Sequence, residues 1–86
     1  MAWTSTGSRS INQIPEKVAV AAIEVIYGPL AENPRRLGKA LRFELEGLYV
    51  ARRGDYRIIY EINEESMTVI IHVISHRADS YNPRRI

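Results

Sequence analysis

Two arginine-bearing runs stand out: Arg52-Arg53 with Arg57, and His76-Arg77 followed by Tyr81. Ten of the twelve basic residues lie from Arg35 onward, and all but Lys39 of those ten are arginine. A guanidinium stays charged, and its fork matches two oxygens of a phosphate or carboxylate. Cutting an RNA strand without a metal needs a base for the 2′-hydroxyl, cations around the crowded phosphorus and a proton for the leaving 5′-oxygen. Arg57 and Arg77 are the candidates for the cationic part. Arg52 and Arg53 flank the same region, and Lys39 and His76 are further candidate RNA contacts. The proton carriers stay open. Tyr81 serves if cations depress its pKa, or it stacks on a base. His76 is the one nearby side chain of a type that ordinarily carries protons near neutral pH, and Glu44 or Glu46 offers a carboxylate base. The competing reading for Arg57 is a surface strand residue paired with Glu61 or Asp55. His72 reads as a hydrogen-bonded strand residue, and no His–Glu or His–His acid/base pair is visible.

The elements that must position these residues follow from spacing. Leu48–Arg53 reads as a strand, Gly54-Asp55 as a hairpin turn and Tyr56–Asn63 as the next strand. Period two puts Tyr56, Ile58, Tyr60 and Ile62 on one face and Arg57, Ile59 and Glu61 on the other. Met67–Ser75 is nearly all apolar, as an interior strand is. Antiparallel pairing then brings the Arg57 end of one strand toward the Arg77 end of the next. Upstream, Trp3–Ile14 reads as a weak helix, lowered by Gly7 and its serines and capped by Thr4 or Ser5. Pro15 opens a second helix carrying Val18, Ala22, Val25 and Ile26, and Gly28-Pro29 stops it. Arg35–Leu45 reads as an ordered loop with one helical turn. The sum is one α+β domain over residues 1–86, a helical hairpin packed on a small antiparallel sheet.

Bulk properties exclude several classes. There is no cysteine, so neither a disulfide framework nor a thiolate metal site is available. His72 and His76 lack a third partner for a metal, and no cofactor is expected. Val18–Tyr27 is too short to span a bilayer, and the start of the chain has no secretory pattern. A cytoplasmic protein is expected. A net charge of +2 is too small for a generic nucleic-acid binder, so local placement of charge matters more than its total.

Four motifs, Pro34-Arg35-Arg36-Leu37-Gly38-Lys39, Leu45-Glu46-Gly47-Leu48, Ala51-Arg52-Arg53-Gly54-Asp55-Tyr56-Arg57-Ile58-Ile59-Tyr60 and His76-Arg77-Ala78-Asp79-Ser80-Tyr81, occur in the order and spacing of one family. In them the chain resembles the RelE toxins of type II toxin–antitoxin modules, the actinobacterial members in particular. The resemblance implies a RelE-like fold, cleavage of mRNA in the ribosomal A site, and inhibition by a cognate antitoxin in a hetero-oligomer. It also implies catalytic roles for Arg57, Arg77 and Tyr81. The chain departs from the pattern where the archetype carries lysines, at Tyr49 and Val50. It also departs at its N-terminus, where only Met1–Thr4 stands in place of a full first strand.

Two other functions compete. A ParE-like toxin shares the fold and acts on DNA gyrase, so fold alone cannot separate it from a nuclease. A catalytically decayed homologue would bind antitoxin and cut nothing.

Overall fold

The structure is a computed structural model, and it describes residues 1–42 and 45–76. Its centre is a five-stranded sheet in the order β1-β5-β4-β3-β2. The strands are β1 (Ala2–Trp3), β2 (Lys39–Ala40), β3 (Leu48–Arg53), β4 (Tyr56–Asn63) and β5 (Thr68–His76). All neighbours are antiparallel except β1, which runs parallel to β5. The α+β expectation stands, with that one parallel pair added.

Strands β3 and β4 have the limits that their alternation predicts, and β5 lies one residue further along than expected. The connection Gly54-Asp55 is tight, with Gly54 at φ 56°, a conformation that glycine adopts without penalty. Ala51, Ile58 and Ile74 pair across the sheet and are buried. They join Ile14, Ala22, Ile26, Leu30, Tyr60, Val69 and Ile71 in a single core. The helices therefore cover one face of the sheet.

Helix α1 (Ser5–Gln13) shows why its sequence looks weakly helical. Thr4 caps it, accepting from the Gly7 N–H at 2.9 Å. Gly7 lies so close to β5 that a β-carbon there would sit 2.5 Å from the Ile71 carbonyl oxygen. One turn on, the buried Ser10 hydroxyl accepts from the Ile74 N–H at 3.0 Å and donates to the Gly7 carbonyl at 2.8 Å. These residues permit close approach to a strand edge, at the expense of helix propensity. The short β1 reaches only Ile70 and Ile71, and α1 takes over the next stretch of β5. Removing the Ser10 hydroxyl leaves the Ile74 N–H buried without a partner, a cost of about 1–3 kcal/mol. Ser10→Ala should therefore lower Tm by roughly 4–20 °C for a domain of this size, measured by thermal unfolding.

Helix α2 (Glu16–Val25) does not stop at Gly28-Pro29. It passes into a wide π-type turn over Ile26–Leu30, with a kink at Gly28 (φ −107°, ψ −107°). Proline cannot donate to the preceding turn, yet the chain stays helical because Ile26 and Leu30, both fully buried, anchor each side. The expected loop over Arg35–Leu45 contains the helical turn α3 (Pro34–Leu37) and then β2. A two-residue strand carries too little alternation to be read from sequence.

Tyr60 ties α3 to the sheet. Its hydroxyl donates to the Pro34 carbonyl, its ring stacks on Tyr49 with centroids 5.6 Å apart, and burial raises its pKa above the ordinary 10.0. Arg35 of α3 forms a salt bridge with Glu64 in the β4–β5 turn. Both side chains of that pair are exposed, so it contributes little and the tyrosine supplies most of the anchoring.

Candidate nucleic-acid interface

The helix-free face of the sheet is built from the other set of alternating residues. Val50, Ile59, Ile70 and Val73 are half-buried there and stand outside the core cluster. Arg52 pairs with Arg57, and Arg57 pairs with Ser75. Directly paired residues share a face, so Arg52, Arg57 and Ser75 form one row across three strands. The next row is Lys39, Val50, Ile59 and Val73. Lys39 and Arg52 line one groove with Leu37, Ala40, Leu41 and Val50.

This face concentrates like charge. Arg52 and Arg57 stand opposite each other, an arrangement that costs up to about 1 kcal/mol. Neither forms a salt bridge among the described residues; Glu61, one of the acids expected to pair with Arg57, is engaged by His72 instead. An anion bound between them would remove the repulsion. The arrangement suits a polyphosphate chain lying across the strands, with apolar ground between the cations for sugars or bases.

The structure divides the residues expected to share a site. Lys39, Arg52 and Arg57 come together. Arg53 and His76 instead flank Tyr56 in a row on the helix-bearing face. Burial raises the Tyr56 pKa there, Arg53 opposes that shift and Glu24 of α2 adds to it. The two neighbouring arginines of β3 thus point to opposite faces, as period two requires. Glu46 is exposed in the turn before β3. Arg77, Tyr81 and Glu44 lie outside the described residues.

Sequence reasoning missed a pair on the open face. His72 Nε2 and Glu61 Oε1 are 3.0 Å apart, both partly exposed. The pair exists because of a β-bulge. Ile59 pairs with Val73 but Tyr60 pairs with Ile71, leaving His72 as the extra residue. Uninterrupted register would set His72 opposite Tyr60, in the core. The bulge gives that place to Ile71 and turns His72 outward. Only the parity of Glu61 with Arg57 was available as a sequence signal. Among the described residues no three potential metal ligands come together.

Comparison with known proteins decides the family. The model of the ParE toxin of the type II toxin–antitoxin system parDE matches residues 3–81. The chain belongs to the RelE/ParE toxin family. Within it, the chain is 49% identical to Toxin RelE of Mycobacterium tuberculosis, over 99% of this chain and 90% of that protein. It is 43% identical to Toxin RelG of the same organism, over 92% and 91%. The toxin–antitoxin complex RelBE2 from M. tuberculosis contains a chain that superposes with a TM-score of 0.84 at 41% identity, covering 87% of this chain and 93% of that one. The actinobacterial likeness and the RelE-like fold read from the motifs both hold. No helix among the described residues of this RelE-family toxin is long and apolar enough to cross a membrane.

Proposed function

We propose that this type II toxin is a metal-independent endoribonuclease that cuts mRNA on the ribosome and so halts translation. The observation that carries the reading is the Arg52–Arg57–Ser75 row with Lys39 beside it on the open face. Arg57 sits at the middle of that row on the central strand, where it would stabilise the charge that develops at phosphorus. Arg52 and Lys39 would hold phosphates on either side of the cut. Arg77 would supply a second cation at the reacting phosphate and Tyr81 a proton transfer. The need for the ribosome fits an incomplete acid/base set, because bound message arrives already bent and oriented, an advantage of position rather than of stronger reagents.

A cognate antitoxin is the natural partner. The relative in the RelBE2 complex is bound to one. Acidic antitoxin side chains laid over Lys39, Arg52 and Arg57 would compete with RNA for the same guanidinium forks and stabilise the toxin by binding only its folded state. A hetero-oligomer of toxin and antitoxin follows.

The matching family model takes its name from ParE toxins, so gyrase inhibition is the second reading. Primer extension on message from expressing cells separates the two. Discrete cuts within coding sequence are expected. Intact message with DNA breakage would assign the toxin to gyrase, and growth without either effect would make it a decayed antitoxin-binding homologue.

A further inference from the structure

Resting on the nuclease reading, we infer that Glu61 and His72 form a base-reading subsite for a nucleotide next to the scissile linkage, selecting bases that carry an exocyclic amino group over uracil. Three observations lead there. First, Glu61 is the one carboxylate that β3, β4 and β5 place on the open face, among Lys39, Arg52 and Arg57. A carboxylate repels phosphate, so its place on a phosphate-binding face is explained by the part of a nucleotide that donates hydrogen bonds. Guanine, adenine and cytosine present amino donors there, whereas uracil shows two carbonyls around a single N–H.

Second, the carboxylate is held. Its Oε1 is engaged by His72 Nε2 at 3.0 Å, which leaves Oε2 and the remaining lone pairs to accept from a base. His72 is itself held by the bulge, and the bulge is tied to the start of α1. The Thr4 N–H donates to the Ile71 carbonyl at 3.0 Å, and the Thr4 hydroxyl lies 3.1 Å from the His72 carbonyl and 3.3 Å from that of Ile71. A side chain re-aimed by a bulge and secured from behind by a helix cap is a built feature.

Third, the spacing is right. Glu61 lies four residues from Arg57 on the same strand and face, about 13 Å at strand rise. With the reach of both side chains, the sugar and base of one nucleotide span that gap. Glu61 is thus a specificity-determining residue, and His72 a positioning residue that orients it.

The test maps cleavage of ribosome-bound messages in which each base flanking the cut is varied four ways. The native protein should cut messages bearing the amino bases about 10-fold or more faster than the uridine message at one flanking position. Glu61→Gln places an amide donor where an acceptor stood, so the preference should collapse or invert toward uridine, the amino-base messages slowing by about the native preference while the uridine message is cut no slower. His72→Gln, which keeps a hydrogen-bonding group, should retain part of the preference, and His72→Phe should lose it. An unchanged base preference in Glu61→Gln overturns the inference and leaves the nuclease reading intact. An equal loss on all messages with a shifted pH profile also overturns it, by making the pair part of the acid/base machinery. So does an unchanged pattern with weakened antitoxin capture. Absence of cleavage by the native protein defeats the nuclease reading and this inference together.

Discussion

Arg57→Ala should yield a folded toxin that no longer arrests growth. Arg57 is half-buried on the central strand and forms no salt bridge among the described residues. Its removal therefore orphans no acid among the described residues, and it relieves the repulsion from Arg52 directly across the ladder. Stability should stay within about 0.5 kcal/mol of the native value. Catalysis should not. Removing a donor aimed at charge that appears only in the transition state typically costs about 10²–10³ in rate. Arg57→Lys should recover only part of this, because an ammonium restores charge but not the two-pronged contact. The measurements are the rate of message cleavage on programmed ribosomes and the melting temperature of the same preparation. Full growth arrest by Arg57→Ala would remove the site from the open face altogether.

The neighbouring position should behave in the opposite way. Ile58 is fully buried, packed between Ala51 and Ile74 on the ladder and in one cluster with Ala22, Ile26 and Leu30 from the helical layer. Truncation to alanine removes buried surface and leaves a cavity, a loss of about 2–5 kcal/mol. A chain of 86 residues has roughly 4–13 kcal/mol of total stability. Ile58→Ala should consequently unfold at much lower urea concentration, and it should lose toxicity only through the population that unfolds. Antitoxin in excess should restore much of its melting temperature by mass action. An unaltered urea midpoint would mean that Ile58 is not part of the core. Adjacent residues of one strand thus separate chemistry from folding, and the pair serves as its own control.

Which parts of this were legible in the sequence follows from how far each depends on a partner. Strands β3 and β4 could be read because alternation over six or eight residues is a local property. That alternation also placed Arg57 and Glu61 on a shared face. It equally set Arg53 on the opposite face from Arg52, a consequence that the clustering of arginines in the sequence obscures. Strands β1 and β2 are two residues each, too short for any period. The helix α1 read as weak because Gly7 and Ser10 answer to β5 rather than to their own helix. The wide turn after α2 read as a stop because Gly28-Pro29 normally ends a helix, and only buried Ile26 and Leu30 carry it on. The Glu61–His72 pair was invisible for a deeper reason. Its geometry depends on a register shift between β4 and β5, and a register shift is a relation between two segments that neither one encodes alone.

The order of strands has a consequence for how the protein is made. Trp3 pairs with Ile71, and Thr4 bonds to the carbonyls of residues 71 and 72, across a separation of 67 or 68 positions. Closing so long a loop is slow and entropically costly, and it cannot begin before β5 has been made. A nascent polypeptide still missing β5 has no edge for its first strand, no seat for Gly7 and no bulge to lift His72. The toxin therefore cannot complete its fold until β5 has been made, a delay written into the topology itself.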